Sequence, residues 1–259
     1  MNRKTIFTAL LAKARITLAA AVLLVGGTVL QSCDNDDSDI IICPVPNVAN
    51  ALVTVKPVAD RDSFYMQLDD ATKIYAVNIK GNPYGDKEFR AFANIRFMGQ
   101  PVGRDCYAVF VNWMDSILTK PMAADLGSAN LTTYCQDPVE IMRDWTVSED
   151  GYLTIHFRTR WAGVKPHIVN LAATNSGNPY EVTFFHNAQG ESAGTVGDGY
   201  AAFRLDKLPD TNGKTVDLTL KWKSYEGDKS VVFKYCTRKP AGGGEAMTLT
   251  ENKNSRLTE

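Results

Sequence analysis

The 259-residue chain contains no His-Glu-x-x-His and no Cys-x-x-Cys, and its three histidines, His156, His167 and His186, are not spaced as ligands of one ion. No metal and no cofactor is therefore expected. A long helical period is also missing, as is any internal repeat, which sets aside helical bundles and solenoids. Basic excess is lacking too. The 28 basic and 29 acidic side chains nearly cancel to −1, a poor match to a nucleic-acid partner. Disorder along the whole chain is excluded by an apolar content of 44%.

The first 32 residues hold Arg3, Lys4, Lys13 and Arg15 and no acid, so the remainder carries 24 basic against 29 acidic groups, a net −5. A largely apolar run of 15 residues, Ile16 to Leu30, follows the basic start. A spanning helix needs about 20 residues. A basic start, an apolar centre and a small residue before a cut describe a secretory signal. Ser32 followed by Cys33 resembles a lipobox, in which Cys33 becomes the acylated first residue of a Gram-negative lipoprotein. Asp34-Asn35-Asp36-Asp37-Ser38-Asp39 then reads as a solvated tether. It resembles the acidic export tags of surface lipoproteins, so an outer-membrane, surface-exposed location is expected. Calcium does not fit this run, because an EF-hand loop starting at Asp34 would need glycine at Asp39 and a carboxylate at Val45.

Beyond Asn47 the pattern is one of strands. Phe64, Met66 and Leu68 alternate, as do Tyr75, Val77 and Ile79, and Tyr107, Val109, Val111 and Trp113. Leu153, Ile155 and Phe157 oppose Thr154, His156 and Arg158, and Val216, Leu218, Leu220 and Trp222 oppose Asp217, Thr219, Lys221 and Lys223. Alternation with period two marks half-buried antiparallel strands. Asp150-Gly151, Asn212-Gly213 and Gly227-Asp228 supply hairpin-type turns between the runs. The expected class is all-β, a small barrel followed by an antiparallel β-sandwich. The expected divisions are a signal over 1–32, the tether over 33–47, the barrel over 48–130, the sandwich over 131–238 and a polar tail over 239–259.

Sequence patterns that suggest catalysis fail on context. Gly190-Glu191-Ser192-Ala193-Gly194 has the form of a nucleophile elbow, but no helix start follows and no histidine lies beyond His186. Gly213-Lys214-Thr215 ends like a phosphate loop, yet Leu208 stands where the motif needs glycine. His167 and His186 share strand faces with apolar residues and are expected as hydrogen-bonded core or rim groups. His156, Arg158 and Arg160 together form a basic ledge that is a candidate for an anionic ligand. Trp145 and Trp161 are candidates for a sugar-stacking platform, whereas Trp113 and Trp222 are expected in the core. With Cys33 as an anchor, Cys43, Cys106, Cys135 and Cys236 remain; an exported compartment permits disulfides among them in three full pairings, and free buried thiols are the alternative.

A family resemblance rests on several stretches in order. Ala51-Leu52-Val53-Thr54-Val55-Lys56-Pro57 and Phe64-Tyr65-Met66-Gln67-Leu68-Asp69-Asp70 follow the acidic tether. Asp137-Pro138-Val139-Glu140, Pro179-Tyr180-Glu181-Val182, Phe203-Arg204-Leu205-Asp206-Lys207-Leu208-Pro209 and Lys221-Trp222-Lys223-Ser224-Tyr225 continue it. The chain thus resembles the NigD-like lipoproteins over most of residues 33–238. The resemblance implies an OB-like barrel, then a β-sandwich, on a Gram-negative envelope lipoprotein, and it carries no catalytic motif across. The family name comes from a bacteriocin-linked gene cluster. The expected function is a non-enzymatic, lipid-anchored protein that binds another protein or an envelope component. A glycan- or peptide-binding surface lipoprotein is the alternative, and a hydrolase ranks third.

Overall fold

The computed structural model describes residues 48–58, 62–191 and 193–238. The signal, Cys33, the tether with Cys43, Ser192 and the tail over 239–259 lie outside the described residues.

Five strands make a closed barrel: β1 (Ala51–Pro57), β2 (Phe64–Gln67), β3 (Lys73–Ala76), β4 (Phe89–Phe97) and β5 (Cys106–Ser116), joined in the order β1-β2-β3-β5-β4. Closure leaves no free edge. The interior is filled by one side-chain row from each strand, among them Val53, Val55, Met66, Ile74, Ala91, Ala93, Ile95, Val109 and Val111. Each large side chain buried in this way contributes roughly 1.5–3 kcal/mol. Small Ala91 and Ala93 beside large Met66 and Ile74 suit the narrow lumen of a five-stranded barrel.

Two expectations for the barrel change here. Tyr75 and Val77 face outward at 42% and 56% exposure, and Ile74 takes the interior place. A short strand in a closed barrel allows either phase, and the large aliphatic group wins the core. Trp113 is not in the barrel core either. A β-bulge beside Asn94/Ile95 skips Asn112 in the pairing, so Trp113 pairs with Asn94 and Met114 packs on the interior.

The sandwich begins earlier than expected. β6 (Leu118–Pro121) pairs in parallel with β12 (Thr195–Arg204), so the chain leaves the barrel after Ile117, ahead of position 130. A 3₁₀ turn (Gly127–Ala129) and the short helix α1 (Asn130–Tyr134) follow β6. Then come β7 (Glu140–Ile141), β8 (Val147–Glu149), β9 (Tyr152–Trp161), β10 (Ile168–Ala173), β11 (Glu181–Asn187), β13 (Val216–Ser224) and β14 (Gly227–Tyr235). One sheet has the order β10-β11-β13-β14 and the other β6-β12-β9-β7, with β8 on β9. The core between them includes Leu153, Ile155, Phe157, Leu171, Phe184, Phe203, Leu220 and Trp222. Pairing is not antiparallel throughout: β3–β5, β6–β12 and β11–β13 run parallel, because each of these partners arrives by a crossover.

Turn chemistry explains the connections. Asp150 and Gly151 both have positive φ and close the β8–β9 hairpin. Asn212-Gly213 also has positive φ, but it lies in the crossover between the two sheets and is not a hairpin tip. Thr195 to Gly199, unable to start a helix, begins strand β12. Its glycines make room for rings: a Cβ on Gly199 would stand 2.4 Å from the Phe157 ring, and one on Gly197 2.6 Å from Trp161.

Barrel and sandwich meet through polar groups. Arg90 on β4 is fully buried, donates to Thr54 Oγ1 at 3.0 Å and stands 3.5 Å from Glu149 Oε2, which is also buried. Lys56 pairs with Asp150 at 2.7 Å, and Asp70 accepts from the Asp150 backbone N–H at 2.6 Å. Glu88 accepts from the Tyr152 hydroxyl at 2.7 Å and from Arg238 at 2.6 Å. Phe92 adds an apolar contact, its ring edge-on to both Trp145 and Tyr200. Losing one member of a buried pair leaves the other charge uncompensated. Arg90→Ala is therefore expected to lower unfolding free energy by about 3–5 kcal/mol in urea titration, and Arg90→Met with Glu149→Leu to recover most of that loss.

Candidate functional site

The candidate residues named from sequence fall into separate places. His156 on β9 points away from the sandwich core, yet the loop before β8 and the Tyr200 ring cover it, leaving it 3% exposed. Its Nδ1 lies 3.0 Å from the Asp144 carbonyl, its Nε2 lies 3.3 Å from Asp198, and its ring stacks on Tyr200. Arg158 holds Asp198 through two hydrogen bonds, at 2.7 and 3.1 Å. That pairing keeps the Asp198 carboxyl below its ordinary range and the Arg158 guanidinium above its own. Arg160 reaches the Gly194 carbonyl. The ledge is thus neutralised by Asp144 and Asp198, two acids brought in from other segments, and it is not an anion site.

The tryptophan platform dissolves in the same way. Trp145 sits at the barrel–sandwich seam, its ring centroid 5.1 Å from that of Phe92. Trp161 stacks on His167 with centroids 4.0 Å apart and lies over Gly197. Both rings are occupied by their own chain. Cys106, Cys135 and Cys236 are free thiols. Two bridges among four cysteines would require at least one bond among these three, so the full pairings do not form. The three start a barrel strand, end α1 and follow β14 respectively, in separate parts of the fold.

His167 and His186 form a cluster that spacing did not suggest. They face each other from adjacent antiparallel strand ends, with His167 Nδ1 2.9 Å from His186 Nε2. His186 Nδ1 lies 3.2 Å from the Asp137 carbonyl, which can only accept, so Nδ1 carries the N–H that donates to it. One hydrogen then bridges the two rings, donated by His167 Nδ1, which leaves the Nε2 of the neutral ring without a proton, 3.9 Å from Glu191 Oε2. Burial pushes His186 down to about 4, and burial likewise lowers His167. Among the described residues no three His, Cys, Asp or Glu side chains converge as a metal site. The cluster ties together the segments around Asp137, His167 and His186.

At the seam, burial is the largest influence on Tyr152, and with its hydrogen bond to Glu88 it pushes the phenol up to about 12. Burial lowers Lys56 in spite of Asp150. For Glu88, burial works upward, but hydrogen bonds from Arg238 and Tyr152 outweigh it and hold the carboxyl below its usual range. These groups are engaged with one another across the seam.

What does face solvent is the outer surface of the barrel. Tyr65 and Tyr75 lie side by side on β2 and β3 with centroids 6.2 Å apart, and Lys73 stands over the Tyr65 ring. Val77 continues the row, and Arg96 stands over Phe110. At one end of the barrel an open cleft of about 410 Å³ is lined by Leu68, Thr72, Phe97, Gly99 and Tyr107. The sequence signal for it was available as aromatic residues on the outward phase of β2, β3 and β5, but alternation alone did not say which phase Tyr75 and Val77 take.

The strand order and the sandwich that follows define a two-domain all-β protein with an OB-type barrel. Residues 52–117 match the NigD-like N-terminal OB domain, and residues 121–235 match the NigD-like C-terminal β-sandwich domain. The chain belongs to the NigD-like family. A solved structure from Parabacteroides distasonis, described as toxin-related, is 35% identical, with 72% of this chain and 92% of that one covered and a TM-score of 0.62. A protein of unknown function from Bacteroides vulgatus is 20% identical, covering 81% and 99%, with a TM-score of 0.61. A NigD-like immunity protein from Bacteroides caccae is 19% identical, covering 73% and 97%, with a TM-score of 0.55. The last two show the shared fold. No curated protein matches the sequence.

The histidine cluster has a pH consequence. An unfolded histidine titrates near 6.5, whereas native His186 stays neutral down to about 4. Between those values the unfolded state binds the extra proton, so stability is complete above pH 6.5 and falls toward pH 4. The loss is about 3 kcal/mol for this group, and His167 adds to it in the same direction. Urea titrations at pH 7.5, 5.5 and 4 are expected to show the decline, and His186→Gln to flatten it.

Proposed function

We propose that the chain is a non-enzymatic envelope protein, tethered to the outer membrane through an acylated Cys33, whose paired β-domains hold a binding surface away from the lipid. The observation that carries this reading is the arrangement of charge. Buried Arg90, Glu149 and Asp150, with partly buried Lys56, Glu88 and Arg238, face one another across the barrel–sandwich seam, while exposed Tyr75 and Val77 lie on the outer barrel wall. Such a surface suits recognition, since Tyr65, Tyr75 and Phe110 present area at little entropic cost. The partner is a protein or another envelope component, and no nucleic acid is involved.

A second reading has one observation in its favour. The open cleft at the barrel end offers ring faces beside the Thr72 and Tyr107 hydroxyls, and its volume of about 410 Å³ falls in the range of small-ligand sites. A short glycan or peptide segment fits that chemistry. It replaces the tryptophan platform as the place to look.

Anchoring and partner are tested separately. Labelling of cells with a palmitate analogue is expected to mark the native chain and to leave Cys33→Ser unmarked and released from the membrane fraction. Equal labelling of both would remove the anchor. Crosslinking from intact cells is expected to capture a reproducible partner that Tyr75→Ala with Val77→Asp loses. A glycan array that binds the native chain and not Tyr107→Ala would favour the second reading.

A further inference from the structure

A sandwich of two open sheets has four edges, and exposed edges invite pairing with other chains. Three of them are engaged here. β6 meets the barrel, where Arg90 N–H donates to Thr119 Oγ1 at 3.0 Å and Ile117 N–H to the Arg90 carbonyl at 3.0 Å. β10 is capped by the Ala123 N–H on Leu171 O at 2.8 Å and by Lys120 on Val169 O at 2.7 Å. β7 is tied across to the other sheet, Val139 N–H donating to Lys223 O at 2.9 Å and Ser224 to Glu140 at 2.6 Å. The fourth edge is β14, which approaches β8 of the other sheet without pairing with it and whose Val231 and Val232 are 37% and 54% exposed.

The hydrogen-bond phase of β14 follows from its neighbours. Thr219 N–H points to β11, donating to Tyr180 O at 2.8 Å. The alternate residues of β13, Val216, Leu218, Leu220, Trp222 and Ser224, therefore turn toward β14 and bond Tyr235, Phe233, Val231, Lys229 and Gly227. The backbone groups of Asp228, Ser230, Val232 and Lys234 point outward, and among the described residues no backbone hydrogen bond reaches them from that side. They are four evenly spaced donor–acceptor pairs along a nine-residue strand.

We propose that β14 pairs antiparallel with β14 of a second copy about a two-fold axis through Val231, joining the two four-stranded sheets into one continuous sheet. Two observations select this occupant and this register. First, the axis at Val231 is the one that pairs the whole strand, Gly227 against Tyr235. It also places Ser230 against Val232 and Asp228 against Lys234 as hydrogen-bonding partners, which is the phase the free backbone groups require. Second, the register sets opposite charges against each other on both sides of the axis. The side chains of Asp228 and Lys234 are 82% and 62% exposed, and their present partners Lys223 and Asp217 are surface groups as well. Self-complementarity of this kind is what a two-fold interface needs. The two valines on the axis meet as a non-hydrogen-bonded pair, with Cα atoms about 4.5 Å apart.

The test uses the full chain carrying Cys33→Ser, so that no lipid contributes to association. Sedimentation over a concentration series is expected to show a monomer–dimer equilibrium. Asp228→Lys alone and Lys234→Asp alone each set like charges in register and are expected to weaken it roughly tenfold. The double exchange restores opposed pairs and the affinity, which a folding defect would not do. Val231→Cys is expected to give a covalent dimer on oxidation. Val232→Cys faces Ser230 and gives none beyond the parent. A chain that stays monomeric throughout, including one that pairs this edge with a different protein, overturns the proposal. So does a dimer indifferent to the charge exchanges that Val231→Cys fails to lock.

Discussion

A guanidinium with no access to water must find both an acid and enough acceptors within the protein, or the segment carrying it cannot stay where it is. Arg90 is in that position, and the remainder of the described fold is arranged around its needs. Thr54 from the adjacent barrel strand and Glu149 from the sandwich both reach it. The next residues in each chain segment extend the contact, with Lys56, Asp70 and Glu88 on the barrel and Asp150, Tyr152 and Arg238 on the sandwich. A seam built from paired charges is directional. An apolar seam would tolerate sliding, whereas hydrogen bonds of fixed length between named atoms admit one relative placement.

That placement determines what is left for partners. The barrel turns its Arg90, Phe92 and Thr54 surface inward to the sandwich, and its β2–β3–β5 surface remains outside. Sheet β6-β12-β9-β7 loses its outer face to the barrel and the loops before β8, which is why both faces of β9 are buried. The other sheet keeps β14 at its rim. The tyrosine wall and the β14 edge thus fall on different parts of the molecule, so that the two proposed partners would not compete.

The sequence legible as strands was largely right in kind. Alternation in β9, β11 and β13 located inner and outer rows, and the family resemblance anticipated the barrel-then-sandwich order that the NigD-like matches establish. Errors came where a short strand or an irregularity broke the phase. Four residues in β3 carry too little pattern to say which of Ile74 and Tyr75 faces in. The bulge at Asn112 reversed the rest of β5, and with it Trp113. Glycines at 197 and 199 gave no strand pattern because their reason for being small, the rings of Trp161 and Phe157, comes from another strand. The site candidates fared worse. His156, Arg158 and Arg160 read as a basic ledge because their counter-charges, Asp144 and Asp198, lie in other segments of the chain.

Local order was therefore written in the sequence: periodicity, turn glycines and the two-domain class follow from interactions between residues near one another along the chain. What only the tertiary structure decided is which outward faces are truly outside. Arg90 sits on the solvent phase of its strand by every local rule, and it is fully buried because a second domain covers that phase. Burial of an outward row depends on packing between segments dozens of residues apart, and strand periodicity carries no information about it. The same packing turned a candidate anion site into a neutral contact and left the tyrosine wall and the β14 edge as the surfaces free to bind.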